Sequence, residues 1–306
     1  MIELLLPIFA AAGSPVGHVT DHPLIGWYIS NVTVLLALAT ILTMLLIIPA
    51  ARRIATGPAR NSIDDYRAQG LLANFVEAVC LYLREEVFRP ILHDQTDKYI
   101  PVLWTFFWFI LICNLLGLVP LIDLTMAGYV AMGGDPRGWH GFGGTATQSI
   151  WVTGALALVA FIIINVTGLM KDPIGYFKHL TGGAPWFMWP IIIPVEAAGI
   201  FIRPIALALR LFANMTGGHV MLAVLFSFVW SLSNALGTVG HGLALIPLLG
   251  ATAIYMLEVL VAFIQAFIFT FLTGLFLGQV LPHDHAHDHH PEEYEQKPGL
   301  EHGPLL

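Results

Sequence analysis

Seven charged or polar side chains stand inside two long apolar stretches within residues 186–281, and their types suit proton transfer. They are Glu196, Arg203, Arg210, Asn214, His219, Glu258 and Gln265. An ionisable group at the centre of a bilayer costs at least about 2.5–3.5 kcal/mol, so it normally faces protein or water and marks an ion pathway. Glutamate and histidine can take up and release a proton there, whereas arginine keeps its charge and can only attract an anion or repel a cation.

Helical spacing places four of these residues on one face of the first stretch. Glu196, Arg203 and Arg210 follow one another at intervals of seven residues, and Asn214 comes four residues later. Residues at such intervals lie above one another on a helix. His219 comes nine residues after Arg210 and, at about 100° per residue, points nearly the opposite way. One face thus carries permanent cations and an amide, and another carries a group that titrates.

The second stretch adds a carboxyl and an amide, Glu258 and Gln265, which are seven residues apart and share a helical face. Glu258 strengthens the case for His219 as a proton relay, because a lone histidine in a helix bundle is often only a packed, hydrogen-bonded ring. For Arg203 a simpler interpretation stays open, since it can pair with Glu196 or with a lipid headgroup.

The composition is that of a membrane protein. Hydrophobic residues make up 57% of the 306 residues, charged residues 11%, and the mean hydropathy is +0.77, whereas a soluble domain carries about 25% charged residues. No basic stretch indicates a nucleic-acid partner. Cys80 and Cys113 lie far apart in the sequence, so a disulfide framework is not implied.

Five apolar segments are long enough to cross a hydrocarbon core of about 30 Å. They are residues 27–49, 99–122, 149–170, 186–230 and 243–281. The predicted fold class is therefore an all-α integral membrane protein. The last segment extends on the order of 58 Å as a helix, which is too long for an upright span. We expect the last two helices to be steeply inclined to the membrane normal and joined near 231–242.

Residues 66–92 show a different pattern, typical of an amphipathic helix. The apolar positions are Leu72, Phe75, Val76, Val79, Leu83 and Val87, and the polar side carries Arg67, Glu77, Arg84 and Glu85. This periodicity predicts a helix that lies on the membrane surface. Packing of the same helix against protein is a compatible alternative.

The distribution of lysine and arginine predicts the orientation. Four arginines follow the first segment and two lysines lie in 171–185, whereas 123–148 has one arginine and 231–242 has no basic residue. Because basic loops stay in the cytoplasm, five crossings place the N-terminus outside and the C-terminus inside. Residues 1–26 are then extracytoplasmic, and cleavage of a signal peptide is disfavoured by Glu3 and the lack of a basic start.

Residues 282–306 are predicted to form a disordered cytoplasmic tail rich in histidine and acidic residues. Its histidines in the run HDHAHDHH are His283, His285, His287, His289 and His290. Histidines interleaved with aspartates can bind transition metals. The favoured interpretation is a solvated tail with incidental metal affinity, and no metal or other cofactor is predicted for the chain.

Three motifs carry a resemblance to a known family. The run ALRLFANMTGGHV, at 208–220, resembles the signature of subunit a of F-type ATP synthases, the stator subunit beside the rotating c-ring. The runs CNLLGLVPLID, at 113–123, and YMLEVLVAFIQAFIFTFL, at 255–272, are similar to the third and last helices of that family. The resemblance covers about residues 27–281, and it implies a protein of the bacterial inner membrane.

The resemblance also implies a role for most of the polar residues. Arg210 matches the arginine that faces the ring carboxylate, Asn214 an amide one turn later, His219 and Glu258 a pair that lines one aqueous half-channel, Gln265 a polar neighbour of the arginine, and Glu196 an acidic residue near the other half-channel. Arg203 and Asp123 are expected to be structural or accessory. The implied partners are the c-ring, the peripheral-stalk b subunits, the complete ATP synthase and lipids.

Two other classes of function fit the sequence less well. A secondary transporter would show internal repeats and interrupted helices around a midplane site, and neither is clear in the sequence. A membrane-embedded metallohydrolase would need a motif such as H-E-x-x-H, which is missing, and no phosphate-binding G-x-x-x-x-G-K-[ST] is present either. ATP chemistry is therefore expected in partner subunits. The choice between H⁺ and Na⁺, the ring stoichiometry and the preferred direction stay open.

Overall fold

The fold was taken from a computed structural model that describes residues 23–25, 29–53, 70–119, 146–171 and 186–281, with the single residues 132 and 173. Asp123, Arg67, the first 22 residues and the histidine-rich tail lie outside the described residues. The described helices are α1 (Asn31–Arg53), α2 (Leu71–Tyr82), α3 (Thr96–Leu118), α4 (Ile150–Lys171), α5 (Trp189–Leu243) and α6 (Leu245–Val280).

The predicted all-α membrane fold is confirmed. Five helical stretches are long and apolar enough to cross a membrane. One of them, Leu71–Leu118, includes both α2 and α3. The strands β1 (Pro23–Ile25) and β2 (Ile29–Ser30) form a short antiparallel pair before α1. The steep inclination of the last two helices relative to a membrane stays a prediction.

Several helix boundaries differ from the predicted ones, and proline chemistry explains part of the difference. The first helix begins at Asn31 rather than 27 because the preceding residues pair as strands, and it continues through Pro49. Proline inside a membrane helix is tolerated where neighbours satisfy the freed carbonyl. The third helix ends at Leu118 rather than 122, since Val119 precedes Pro120 and is extended, with ψ 124°, as the residue before a proline prefers.

The segment predicted as a surface helix is helical from Leu71, and it packs on α3. Beyond Tyr82 it continues as a π-helix, Leu83–Phe88, and a last turn, Arg89–Leu92. His93 then has a positive φ of 47°, and the chain changes direction into α3. The Trp104 ring nitrogen donates to the carbonyl of Cys80 at 3.1 Å, so α2 runs back beside the first half of α3.

The apolar positions of α2 divide between two surfaces. Val76 and Leu83 are buried against the protein, whereas Leu72 and Phe75 are exposed. The alternative of packing on protein therefore holds for one side of the helix. The exposed apolar side is suited to lipid, and its position at the membrane surface stays a prediction.

The connection between the last two helices differs from the prediction. Residues 231–242 are helical, and α5 passes to α6 through Ala244 alone. Pro247 explains the place of the break, because its ring collides with the carbonyl of the residue four positions earlier, Leu243, and removes one helical hydrogen bond. No proline lies within 231–242 to interrupt the helix.

Helix α6 is the central helix of the described bundle. It runs antiparallel to α5, as shown by hydrogen bonds that join Asn214 to Gln265 and Arg203 to Gln279. On its other side Gly274 and Gly278 face the π-helical segment. A methyl carbon on Gly274 would overlap the Phe88 ring, and one on Gly278 would lie 2.9 Å from the Ile91 carbonyl oxygen. Small residues at such a spacing allow close helix approach.

Candidate functional site

Glu258 of α6 is buried against a glycine of α5. Its side chain is 3% exposed, and a methyl carbon added to Gly218 would overlap Glu258 Oε1. Among the described residues neither carboxyl oxygen has a hydrogen-bond partner. Buried polar atoms normally find partners, and exceptions accompany catalytic or transport roles. Only glycine at position 218 leaves room for this carboxyl.

His219 follows Gly218 directly and is half-buried. The contact between Gly218 and Glu258 therefore brings the histidine and the glutamate to the same level of the α5–α6 hairpin. Both residues were identified as site candidates from the sequence, whereas Gly218 was not. The signal that could have found it is the pair Gly217-Gly218, since a glycine inside a membrane helix permits close backbone approach.

Asn214 and Gln265 form a second layer, directly beside the first. The Asn214 side-chain nitrogen donates to Gln265 Oε1 at 2.8 Å, and Gln265 is 2% exposed. Asn214 lies one turn before Gly218, and Gln265 lies two turns after Glu258. The structure thus brings together residues that are 51 positions apart in the sequence.

Arg210 lies one turn before Asn214 and is exposed on the isolated chain. No hydrogen bond or ion pair joins it to another residue in the described ranges. A guanidinium has five donors and a permanent charge, and in an apolar stretch it needs an anionic or aqueous partner. Its position leaves it open to a carboxylate of another chain.

Glu196 and Arg203 form an ion pair nearer the start of α5. The Arg203 Nη2 atom lies 3.6 Å from Glu196 Oε1, and about a third of each side chain is exposed. Arg203 also donates to Gln279 Oε1 at 3.4 Å and lies 4.9 Å from the centre of the Phe276 ring. Of the two partners open to Arg203 from the sequence, the structure forms the ion pair with Glu196, and the role of the residue stays a prediction.

A buried polar cluster that the sequence did not single out lies against α6. Asn114 of α3 is fully buried, donates to the carbonyl of Ala262 at 3.4 Å and accepts from the Thr147 hydroxyl at 2.9 Å. The Gln148 side-chain nitrogen beside it is buried without a partner in the described part of the chain. Ala262 lies between Glu258 and Gln265, so this cluster adjoins both layers.

One signal for the cluster was available in the sequence. Asn114 is an amide inside an apolar segment, which is costly unless its hydrogen bonds are met. Thr147 and Gln148 lie in a short 3-10 turn, Ala146–Gln148, before α4, and nothing in their sequence context marks them. Within the described ranges no group of three or more histidine, cysteine, aspartate or glutamate residues could hold a metal ion. The tail histidines lie outside those ranges.

Comparison with known proteins gives the family. The family model for the ATP synthase A chain matches residues 30–278. The ATP synthase subunit a of Myxococcus xanthus is 40% identical over 202 residues, which are 65% of this chain and 57% of the relative. The ATP synthase subunit a 2 of Chlorobaculum tepidum is 33% identical over 265 residues, 86% of this chain and 63% of the relative.

The chain spans less than two thirds of the length of these relatives. The matched region nevertheless includes every described helix up to the last turn of α6 and all the polar layers of the hairpin. With a family model matched over most of its length, this chain belongs to the ATP synthase A chain family.

Proposed function

We propose that this chain is the proton-channel stator subunit in the membrane sector of an F-type ATP synthase. It would provide two aqueous half-channels and a barrier arginine that faces a carboxylate of the c-ring. The observation that carries the proposal is the pair of polar layers, Glu258 on Gly218 and Asn214 with Gln265, one turn from the exposed Arg210. Nothing else in the described bundle combines a buried unpaired carboxyl with an open guanidinium.

The first half-channel leads to Glu258 and His219. The cluster of Asn114, Thr147 and Gln148 supplies hydrogen-bonding groups beside α6, and it lies near the end of the bundle where α3 ends and α4 begins. Protons entering at that end would pass along these groups to the carboxyl and imidazole, which can each bind and release one. They would then protonate a carboxylate on a ring subunit.

Arg210 separates the two half-channels. A protonated ring carboxyl is neutral and can face lipid at low cost, whereas an ionised one is held by a cation. The permanent charge of Arg210 favours the ionised carboxylate and prevents protons from crossing unless the ring turns. Asn214 and Gln265 bond to each other, so they hold the two helices at the fixed spacing that this barrier requires.

The second half-channel contains Glu196, on the far side of Arg210 along α5. Rotation of the ring brings the protonated carboxyl to this side, where it loses its proton. The driving force is about 2.3 kcal/mol per proton for each 100 mV of membrane potential. The same path serves synthesis and ATP-driven pumping, because each step is reversible.

The chain contributes no catalytic site of its own to this scheme. ATP chemistry belongs to partner subunits, and the proposed assembly includes the c-ring, peripheral-stalk b subunits and lipids of the bacterial inner membrane. The N-terminus is placed outside and the C-terminus in the cytoplasm. This orientation puts Lys171 at the cytoplasmic end of α4, where it donates to Gln95 at 3.1 Å.

A secondary transporter is less well supported. Such proteins bind substrate where paired helices are interrupted near the membrane midplane. Here α5 and α6 run as helices past Arg210, Glu258 and their neighbours. The polar groups meet between two continuous helices, which suits a surface for a rotating partner rather than an enclosed substrate site.

The test is the replacement of Arg210 in the assembled complex. Arg210→Ala should abolish ATP synthesis driven by a proton gradient and open a passive proton leak through vesicles stripped of the catalytic sector. Arg210→Lys keeps a charge but loses the planar fork, and it should also fail to couple while leaking less. Arg84→Ala removes a cation that pairs with Asp97 instead, and it should leave both measurements unchanged. Near-normal coupled synthesis in the Arg210→Ala complex would refute the proposal.

A further inference from the structure

Arg203 has no part in the two half-channels as described, yet its guanidinium is the most fully engaged in the hairpin. It contacts a carboxylate on its own helix and both an amide and an aromatic ring on the last turns of α6. A planar guanidinium can serve a carboxylate, an amide oxygen and a ring face together, which an ammonium group does poorly. The residue is thus placed to tie a side chain of α5 to the end of α6.

We infer that Arg203 is a positioning residue for Glu196, and that it holds this carboxylate toward the end of α6 where the second half-channel releases its protons. The inference rests on the proposed function, because it takes Glu196 as a group of that half-channel. Arg203 contacts the Glu196 side chain. Its inferred role is therefore in the proton path rather than in the stability of the fold.

The exposure of the pair argues against a purely structural role. The side chains of Arg203 and Glu196 are 36% and 38% exposed. Ion pairs at that exposure contribute little to stability, so the bundle does not depend on this one. A glutamate has several rotatable bonds, and a guanidinium that is itself fixed by Gln279 and Phe276 restricts which of its conformations is populated.

The neighbouring proline adds a second acceptor at the same place. Pro204 has no N–H, so the carbonyl of Ile200 loses its helical donor. Ile200 lies four residues after Glu196 and three before Arg203, which puts it on the same helical face. A carboxylate, a freed backbone carbonyl and a guanidinium therefore meet on one side of α5, as a path for protons and water requires.

The two arginines of α5 differ in their surroundings. Arg203 has three partners within the chain, whereas Arg210, seven residues on, is exposed and bonded to none of the residues that the structure describes. An arginine already occupied by Glu196 cannot also attract a ring carboxylate without giving up its partner. Arg203 thus acts through Glu196, and Arg210 acts on the ring.

The experiment is a double-mutant cycle in the assembled synthase, with Arg203→Met, Glu196→Gln and both together. Passive proton flux is measured in vesicles stripped of the catalytic sector and normalised to the amount of co-purified ring. We expect Arg203→Met and Glu196→Gln each to lower the flux on the order of threefold. The double variant should be no slower than Glu196→Gln alone, because Arg203 acts through that carboxylate.

Two further variants separate positioning from folding. Arg203→Lys keeps a cation next to Glu196 and should recover at least roughly half of the lost flux. Arg84→Met is the matched control, since it removes an ion pair with Asp97. It should leave the flux unchanged in the wild-type and in the Glu196→Gln background. A merely structural Arg203 would instead lower the recovery of the complex and leave the normalised flux as it was.

The inference is overturned if the losses in the double variant multiply, if Arg203→Lys recovers nothing, or if Arg203→Met conducts at the wild-type rate. These outcomes are distinct from failure of the proposed function. If Glu196→Gln conducts normally while Arg210→Ala still leaks, the positioning role is refuted and the barrier stands. If Arg210→Ala neither leaks nor uncouples, the proposed function fails whatever the Arg203 variants do.

Discussion

The α5–α6 hairpin holds two glutamates at different levels, Glu258 opposite Gly218 in the middle of α5 and Glu196 near the start of α5, and their surroundings differ. Glu258 is 3% exposed, lies against a glycine and has no hydrogen-bond partner among the residues described. Glu196 is 38% exposed and pairs with an arginine that α6 helps to hold. The difference teaches that the two carboxyls are positioned in different ways, Glu258 by close packing against a glycine and Glu196 by an ion pair.

The largest expected effect is at Gly218, the residue that leaves room for the buried Glu258 carboxyl. Gly218→Ala places a methyl carbon on Glu258 Oε1, so the carboxyl or the helix must shift. Overpacking of this kind costs about 1–3 kcal/mol, and passive proton flux through stripped vesicles should fall by roughly tenfold. Gly217→Ala is the matched control, because a methyl group there meets no atom within 4 Å. Equal flux in the two variants would remove Gly218 from the site.

The next effect concerns the two glutamates themselves. Glu258→Gln should lower proton flux by up to roughly tenfold, since an amide in a buried site cannot carry the proton. Glu196→Gln should lower the flux by only about threefold, because that side chain is 38% exposed on the isolated chain rather than buried. The same flux assay, with each variant normalised to assembled ring, compares them. An equal loss in both would show that burial does not decide how much each carboxyl matters.

The exchange of His219 and Glu258 tests whether the buried glutamate acts together with the histidine at the same level of the hairpin. Either alanine variant should slow proton flux without opening a leak, because Arg210 is retained as the proposed barrier between the half-channels. The exchanged variant, His219→Glu with Glu258→His, should conduct better than either single alanine variant, since one titrating pair is kept at the same level. If both alanine variants conduct normally, this pair is not on the pathway.

A smaller effect is expected from the amide layer. Asn214→Ala and Gln265→Ala each break a 2.8 Å hydrogen bond. Asn214→Ala also leaves the buried Gln265 amide unpaired, which costs about 1–3 kcal/mol. The double variant should be less unstable than the sum of the two, by about 1 kcal/mol in thermal unfolding of the purified complex. Strict additivity would mean that the two amides do not act as a unit.

The smallest effect is expected at Gln279. Its hydrogen bond to Arg203 is 3.4 Å long and exposed, so Gln279→Ala should change stability by no more than about 0.5 kcal/mol. Flux should stay near the wild-type level, because the Phe276 ring still holds the guanidinium beside Glu196. A loss as large as that of Arg203→Met would show that the hydrogen bond from Arg203 to Gln279 of α6 matters more for proton flux than the ion pair with Glu196.

The features of the hairpin that depend on helical periodicity and on charge could be predicted from the sequence. Arg203 was placed seven residues from Glu196, and the pair is formed. The count of membrane-crossing segments followed from apolar length alone. Spacing along one helix could not, however, tell that Asn214 and Gln265 would bond, since that contact depends on the register between two helices.

The parts that were missed depend on contacts between distant segments. Gly218 is one of several glycines in the chain, and only the opposing Glu258 gives it a role. Asn114 was visible as an isolated amide, but Thr147 gained its meaning from a hydrogen bond across 33 residues. The extension of α5 through 231–242 was missed because these residues lie between the two apolar stretches, 186–230 and 243–281, whereas the proline three residues past Ala244 sets the break.

The glycines of α6 also fix the rotational setting of that helix about its own axis. Gly274 and Gly278 lie 16 and 20 residues after Glu258, so at about 100° per residue they face roughly 160–200° away from it. Their contacts with Phe88 and Ile91 leave no room for any side chain that rotation would bring round. Helix α6 is thereby fixed about its own axis, and Glu258 stays on the side that packs against Gly218.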